Sequence, residues 1–132
     1  MIVLFKVRDI IFKFKKSIRF VVKMEVEIEA NDEDFEEKVI ERSKSLPVVV
    51  DFWGSWCPPC RLLSPIMSKI AKEYQGKFLL VKVNVDESPK LAERYQIMSI
   101  PNVKMFKNGR IVDEFLGAMP EPLIKKWLDK NL

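Results

Sequence analysis

Cys57 and Cys60 stand with two residues between them in Trp56-Cys57-Pro58-Pro59-Cys60, and they are the only cysteines in the chain. Such a pair can ligate a metal, cross-link the fold or cycle between dithiol and disulfide. A structural zinc site needs four ligands of the Cys or His type, and this chain has two cysteines and no histidine. A bridged cluster would need a second copy of the chain, and nothing in the sequence suggests that symmetry. A bond between residues three apart closes too short a loop to staple a fold. Redox chemistry is the reading these considerations favour. The missing imidazole also excludes Ser-His and Cys-His hydrolysis, for want of a general base near neutral pH.

The flanking sequence supplies what a reactive thiol needs. Val48 to Trp53 is a nearly unbroken β-branched and aromatic run, as expected of a strand buried on both faces of a sheet. After the cysteines, Leu62, Leu63, Ile66, Met67, Ile70 and Ala71 recur at helical spacing, with Pro65 predicted to kink the helix and Gly76 to close it. Cys57 therefore falls where a strand gives way to a helix N-terminus, whose free N–H groups favour thiolate. An unperturbed thiol of pKa about 8.5 is only a few per cent ionised at pH 7, whereas one near 7 is roughly half ionised. Cys57 is the expected nucleophile. Cys60, one turn further in and shielded by the helix, is expected to resolve the mixed disulfide.

The remaining elements are read outward from this junction. Val26 and Ile28 alternate with Glu25, Glu27 and Glu29 as a short strand. Asn31 or Asp32 can cap a helix running to about Lys44, with Phe35, Val39 and Ile40 inward. Phe78 to Val85 is a second β-rich run, and Ser88 is expected to cap a short helix that opens on Pro89. Val103 to Phe106 and Ile111 to Leu116 flank Asn108-Gly109, a two-residue hairpin turn. A last helix from about Pro120 would bury Leu123, Ile124, Trp127 and Leu128. The order β-α-β-α-β-α-β-β-α predicts an α/β fold: a mixed central sheet with helices on both faces.

With 132 residues, 48% of them hydrophobic and 32% charged, the chain suits one domain with its own core. The net charge of +4 is unevenly spread. Residues 1–23 hold seven basic side chains against Asp9 alone, which leaves 16 basic against 18 acidic residues in the rest. That asymmetry argues against a nucleic-acid-binding face on the domain. Beyond Met1, the longest apolar run of this leader is Ile2 to Phe5, too short for a membrane span or a signal peptide. On a helix, Val3, Leu4, Val7, Ile10, Ile11, Phe14, Ile18, Val21 and Val22 gather on one face and the seven basic residues on the other. Weak membrane-surface contact or partner docking through residues 1–22 is one reading. Phe12 to Lys15 also alternates as a strand would, and a start at Met24 would make the leader an artefact. The division expected is 1–23 as extension and 24–132 as the domain.

The run Val50-Asp51-Phe52-Trp53-Gly54-Ser55-Trp56-Cys57-Pro58-Pro59-Cys60-Arg61 closely resembles the active-site segment of thioredoxins. The resemblance continues through Lys82-Val83-Asn84-Val85-Asp86, Ile100-Pro101, Phe106-Lys107-Asn108-Gly109 and Gly117, and covers Glu25 to Leu132. It implies the thioredoxin fold and a cytoplasmic, monomeric protein-disulfide reductase with no cofactor. Its implied partners are disulfide-containing proteins and a thioredoxin reductase or equivalent donor. Asp51, inside an apolar strand, would exchange a proton with Cys60, and Lys82 would be the buried lysine beside it. Pro101 would be a cis-proline next to the disulfide, with the backbone of Ile100 pairing to an extended substrate. Trp53, Trp56, Pro58, Pro59, Ile100, Pro101 and Gly117 would form the substrate-binding rim. Two positions depart from the family pattern: Pro58 stands where glycine is usual, and Asn102 where threonine is. Pro58 removes an N–H that could stabilise the thiolate and also stiffens the loop, so its effects on potential oppose each other. Similar Cys-Pro-Pro-Cys loops also occur in exported thioredoxin-like proteins of cytochrome maturation, and this chain shows no export signal. A second reading takes the basic leader as the functional element of a membrane-peripheral module.

Overall fold

A computed structural model describes residues 25–132. The basic leader and the domain start at Met24 lie outside the described residues. The chain runs through β1 (Glu27–Glu29), the helical segment α1 (Glu36–Glu41) with a closing 3-10 turn (Arg42–Lys44), β2 (Val48–Trp53), α2 (Pro58–Glu73), β3 (Leu79–Asn84), α3 (Pro89–Arg94), β4 (Asn102–Lys107), β5 (Arg110–Leu116) and α4 (Glu121–Asn131). The sheet order is β1-β3-β2-β4-β5. β3 lies parallel to β1 and β2, whereas β4 is antiparallel to both β2 and β5. β2 is thus the middle strand, which explains why its side chains are apolar on both faces.

Alternation along β2 divides the core. Val49 faces α2 and α4, where it meets Leu63, Met67, Ile124 and Leu128. Val48, Val50 and Phe52 face the other way, toward Phe35, Val39 and Leu91. By the same alternation Asp51 points to the α2 side. The opposite face is aromatic: the Phe35, Phe52 and Phe106 rings each lie 5.6–5.9 Å from the Tyr95 ring.

Several local details differ from the sequence expectation or resolve it. Asn31 opens the turn that leads into the first helical segment: its Oδ1 accepts from the N–H groups of Glu33 and Asp34, and Asp34 Oδ1 accepts from Asn31 N–H at 2.8 Å. That reciprocal pair is a capping box. The segment beyond it winds wider than an α-helix over Glu36–Glu41 before tightening. This winding keeps Phe35, Val39 and Ser43, four residues apart, buried along one line. Ser88 holds the N-cap position of α3 but its hydroxyl makes no capping bond; Asp32 supplies that from across the fold, its carboxylate accepting from Lys90 N–H at 3.2 Å and Leu91 N–H at 3.0 Å. α2 continues through Pro65 from Pro58 to Glu73. Asn108 and Gly109 both have positive φ, 53° and 79°, as the tight hairpin turn requires.

Candidate active site

The strand-to-helix junction is built as the sequence suggests. β2 ends at Trp53, the chain turns through Gly54 to Trp56, and Cys57 is the N-cap of α2 with extended backbone (φ −102°, ψ 104°). A Cβ on Gly54 would sit 2.9 Å from Ile100 Cδ1 and 3.1 Å from Trp56 Nε1, so glycine lets the loop lie against the Ile100 side chain. Cys57 and Cys60 are joined in a disulfide, with their Cα atoms 5.3 Å apart. Pro58 and Pro59 open the helix where an N–H would have no partner, as proline prefers. Their absence of N–H makes the Cys60 amide the first donor of the helix, and it points at Cys57 Sγ at 3.2 Å. One backbone N–H together with the helix dipole is what the fold offers a Cys57 thiolate.

Shielding does not separate the two cysteines in the disulfide state, since each is 3% exposed. What separates them is position. Cys57 lies at the loop mouth, its Sγ 3.6 Å from the carbonyl oxygen of Ile100, between exposed Trp56 and exposed Pro58 and Pro59. Cys60 is inside the helix, on the face turned to the sheet.

Asp51 is 1% exposed, and its Oδ1 has no hydrogen-bond partner among the described residues. Burial pushes its carboxyl up to about 6; the Lys82 ammonium works against that rise and the Glu27 carboxylate adds to it. Lys82 is the register neighbour of Asp51 across β2 and β3. Its ammonium is nevertheless turned elsewhere: it donates to Ser64 Oγ and to Ser68 Oγ (3.2 Å) and pairs with Glu27 Oε2 at 3.4 Å. No ion pair joins Lys82 to Asp51, so the lysine acts on the carboxyl only through its field.

Around the cysteines the expected rim residues come together. Trp56 is 63% exposed, and its indole N–H donates to Asp86 Oδ2 at 2.8 Å, which fixes the ring against the loop. The Ile100–Pro101 peptide is cis, and the Pro101 carbonyl accepts from Gly117 N–H at 2.8 Å, which ties the end of β5 to this loop. Gly117 has φ +79°. Trp53, at the end of β2, is half-buried. Asn102, directly after the cis bond, is buried with its Oδ1 unpartnered among the described residues.

Several contributors escaped sequence reasoning. A groove of about 580 Å³ beside the disulfide is lined by Trp56, Val85, Pro89, Ile97, Met98 and Ile100. Only Trp56 and Ile100 were expected there. Met98, at 93% exposure, is the plainest sign of an apolar surface left open. Ser64 and Ser68 follow Cys60 at four-residue intervals, a stripe on α2 that could have been read from spacing. Glu27 sits in an alternation of acids that reads as solvent-facing. Among the described residues no group of three or more His, Cys, Asp or Glu could hold a metal, and no helix is long and apolar enough to cross a membrane.

Comparison with known proteins agrees with this geometry. A sequence model of the thioredoxin family matches residues 26–130. A thioredoxin of Chlorobaculum thiosulfatiphilum is 41% identical over 104 residues, covering 79% of this chain and 94% of that protein. Thioredoxin 1 of a Nostoc species is also 41% identical, over 109 residues that cover 83% of this chain and all of the relative. A chloroplastic M-type thioredoxin of Spinacia oleracea is 42% identical over 79% of this chain and 56% of its own length. With the disulfide at the head of α2, these likenesses establish that the chain belongs to the thioredoxin family and is a thiol–disulfide oxidoreductase.

Proposed function

We propose that the chain reduces protein disulfides by a two-step exchange in which Cys57 attacks, Cys60 resolves and Asp51 carries the proton. In the first step the Cys57 thiolate attacks one sulfur of the substrate disulfide; a Cys57–substrate bond forms, and the other substrate sulfur leaves as thiolate and takes up a proton. In the second, Cys60 gives its proton to the Asp51 carboxylate and attacks Cys57 Sγ. The second substrate thiolate leaves and the Cys57–Cys60 disulfide forms. Two electrons pass from the dithiol to the substrate, and a reductase partner restores the dithiol.

The observation that carries the assignment is the Cys60 N–H aimed at Cys57 Sγ at 3.2 Å. That amide supports negative charge on Cys57 and does nothing of the kind for Cys60. The Asp51 role is supported by its burial on the α2 side of β2 and by a carboxyl raised to about 6, close enough to neutrality to lose and regain a proton. Lys82 acts on Asp51 from the neighbouring strand. Ile100 and Pro101 receive an extended segment of substrate beside Cys57, and Trp53, Trp56, Pro58, Pro59 and Gly117 complete the rim. The reading extends to a monomer working in the cytoplasm. Co-sedimentation of the full chain with anionic vesicles, against a chain starting at Met24, tests contact through residues 1–22.

Substitution of each thiol tests the division of labour. Cys60→Ser is expected to accumulate a mixed disulfide between Cys57 and substrate, detectable by mass, whereas Cys57→Ser abolishes turnover and traps nothing. Equal alkylation rates of the two thiols in the reduced protein would count against it.

A further inference from the structure

The Lys82 ammonium has three N–H groups, and three partners surround it that are not Asp51: the hydroxyls of Ser64 and Ser68 and the carboxylate of Glu27. The partners are themselves connected, since Ser68 Oγ donates to Glu27 Oε1 at 2.5 Å. This network spans β1, β3 and α2, and β1 flanks β3 on the side opposite β2. Asp51, its register neighbour, is left with an orphaned Oδ1 and no ion pair among the described residues. We propose that Glu27, with Ser64 and Ser68, is a positioning group that draws the Lys82 ammonium off Asp51 and so leaves the buried carboxyl able to hold a proton for Cys60. The proposal rests on the proton-carrying reading of Asp51.

The charge balance around Asp51 supports it. From β3 comes Lys82 and from β1 Glu27, with opposite effects on the carboxyl. α2 contributes the Cys60 thiol and the two serine hydroxyls. On β4 the neighbour is Val103, while Lys104 belongs to the other face of the sheet. α4 presents Ile124, Trp127 and Leu128 to the core, and its Glu121 and Lys125 pair with each other and with Lys69 and Glu73. Burial raises the Asp51 carboxyl most, and among the described residues Lys82 and Glu27 are the two charges that adjust how readily it ionises. Were Lys82 to turn to Asp51, a close cation would favour the carboxylate and abolish its readiness to accept a proton near neutral pH.

A carboxyl-carbon NMR titration of Asp51 in the disulfide form, where no thiol titrates alongside, tests this directly. Glu27→Gln is expected to lower the Asp51 midpoint by about one pH unit, a tenfold change in its proton affinity. In a Lys82→Met background the same substitution is expected to move the midpoint by less than a third as much, because Glu27 then has no cation to hold. An unmoved midpoint in Glu27→Gln, or an equal shift in both backgrounds, overturns the positioning role. The pH profile of mixed-disulfide resolution separates this inference from its foundation. If Asp51→Asn leaves that profile unchanged, the proton-carrying reading fails by itself; if Asp51→Asn flattens it while Glu27→Gln leaves the Asp51 midpoint in place, only the role of Glu27 fails.

Discussion

The sheet buries two charges on adjacent strands, one register position apart and on opposite faces. Asp51 of β2 is 1% exposed and Lys104 of β4 is 6% exposed; Asp51 is paired in register with Val103 and Lys104 with Val50. Lys104 is answered: its ammonium donates to Glu114 Oε1 on β5 at 2.7 Å. Asp51 has no such partner among the described residues, and its ionised form carries the cost of burial. The same scaffold thus pairs one buried charge within the sheet and leaves the other, on the α2 side of β2, with an orphaned oxygen among the described residues. Such a carboxyl costs the fold stability, and under the proton-carrying proposal that cost serves the Cys60 step.

Asp51→Asn gives the largest expected effect and breaks the comparison from the functional side. The Asp51 carboxyl is raised from 3.8 to about 6 in the folded state, so the native protein binds more protons than the unfolded chain between those values. Stability therefore falls as pH rises from about 4 to 6 and levels off above about 7, with a total loss of about 3 kcal/mol. Asparagine removes that loss. Its gain in denaturant unfolding is expected to be larger at pH 8 than at pH 5 by about 1 kcal/mol, a difference free of the amide's own desolvation cost. Resolution of the mixed disulfide should slow by about 10²-fold or more. A gain independent of pH would mean that Asp51 is solvated.

Glu114→Gln attacks the other charge and should act with the opposite sign. It leaves the Lys104 ammonium buried with only an amide oxygen to accept from it. Glu114 is half exposed, so the cost is screened and is expected to be about 1 kcal/mol in chemical unfolding. Thiol–disulfide exchange should run at the wild-type rate, because Lys104 lies on the face away from Cys60. A change in exchange rate at unchanged stability would mean that the two charges communicate through the sheet.

The comparison also explains which parts of the molecule could be read in advance. Hydrophobic period, turn residues and the Cys-Pro-Pro-Cys junction are local signals, and they placed β2, α2, the Asn108-Gly109 hairpin and the element order correctly. Asp51 stood out because a charge inside an apolar run is itself a local anomaly. Ser88 misled because it occupies the usual cap position, while the carboxylate that caps α3 comes from Asp32, more than fifty residues away. Lys82 was recognised, yet its partners were not, since Glu27 on β1 and Ser64 and Ser68 on α2 meet it only once the sheet is assembled. Nor could spacing tell that both cysteines would be equally covered. What was missed is what depends on which side chains from distant elements meet.

Lys104→Met gives the smallest expected effect and sharpens the contrast between a paired and an unpaired buried charge. Taking the ammonium away spares the fold its desolvation, and methionine fills the same narrow space with a flexible apolar chain. Glu114, left behind, is half exposed and keeps its water, so no buried charge is orphaned. The two terms oppose each other, and the net change in unfolding free energy is expected to stay within about 1 kcal/mol. The double variant Lys104→Met with Glu114→Gln should then cost less than Glu114→Gln alone, because the amide no longer faces an unpaired ammonium. Chemical unfolding of the two single variants and the double variant completes the cycle. A Lys104→Met loss well above that range would show that the pair supports β4 and β5 in its own right, and that β4 spends its buried charge on holding the sheet edge.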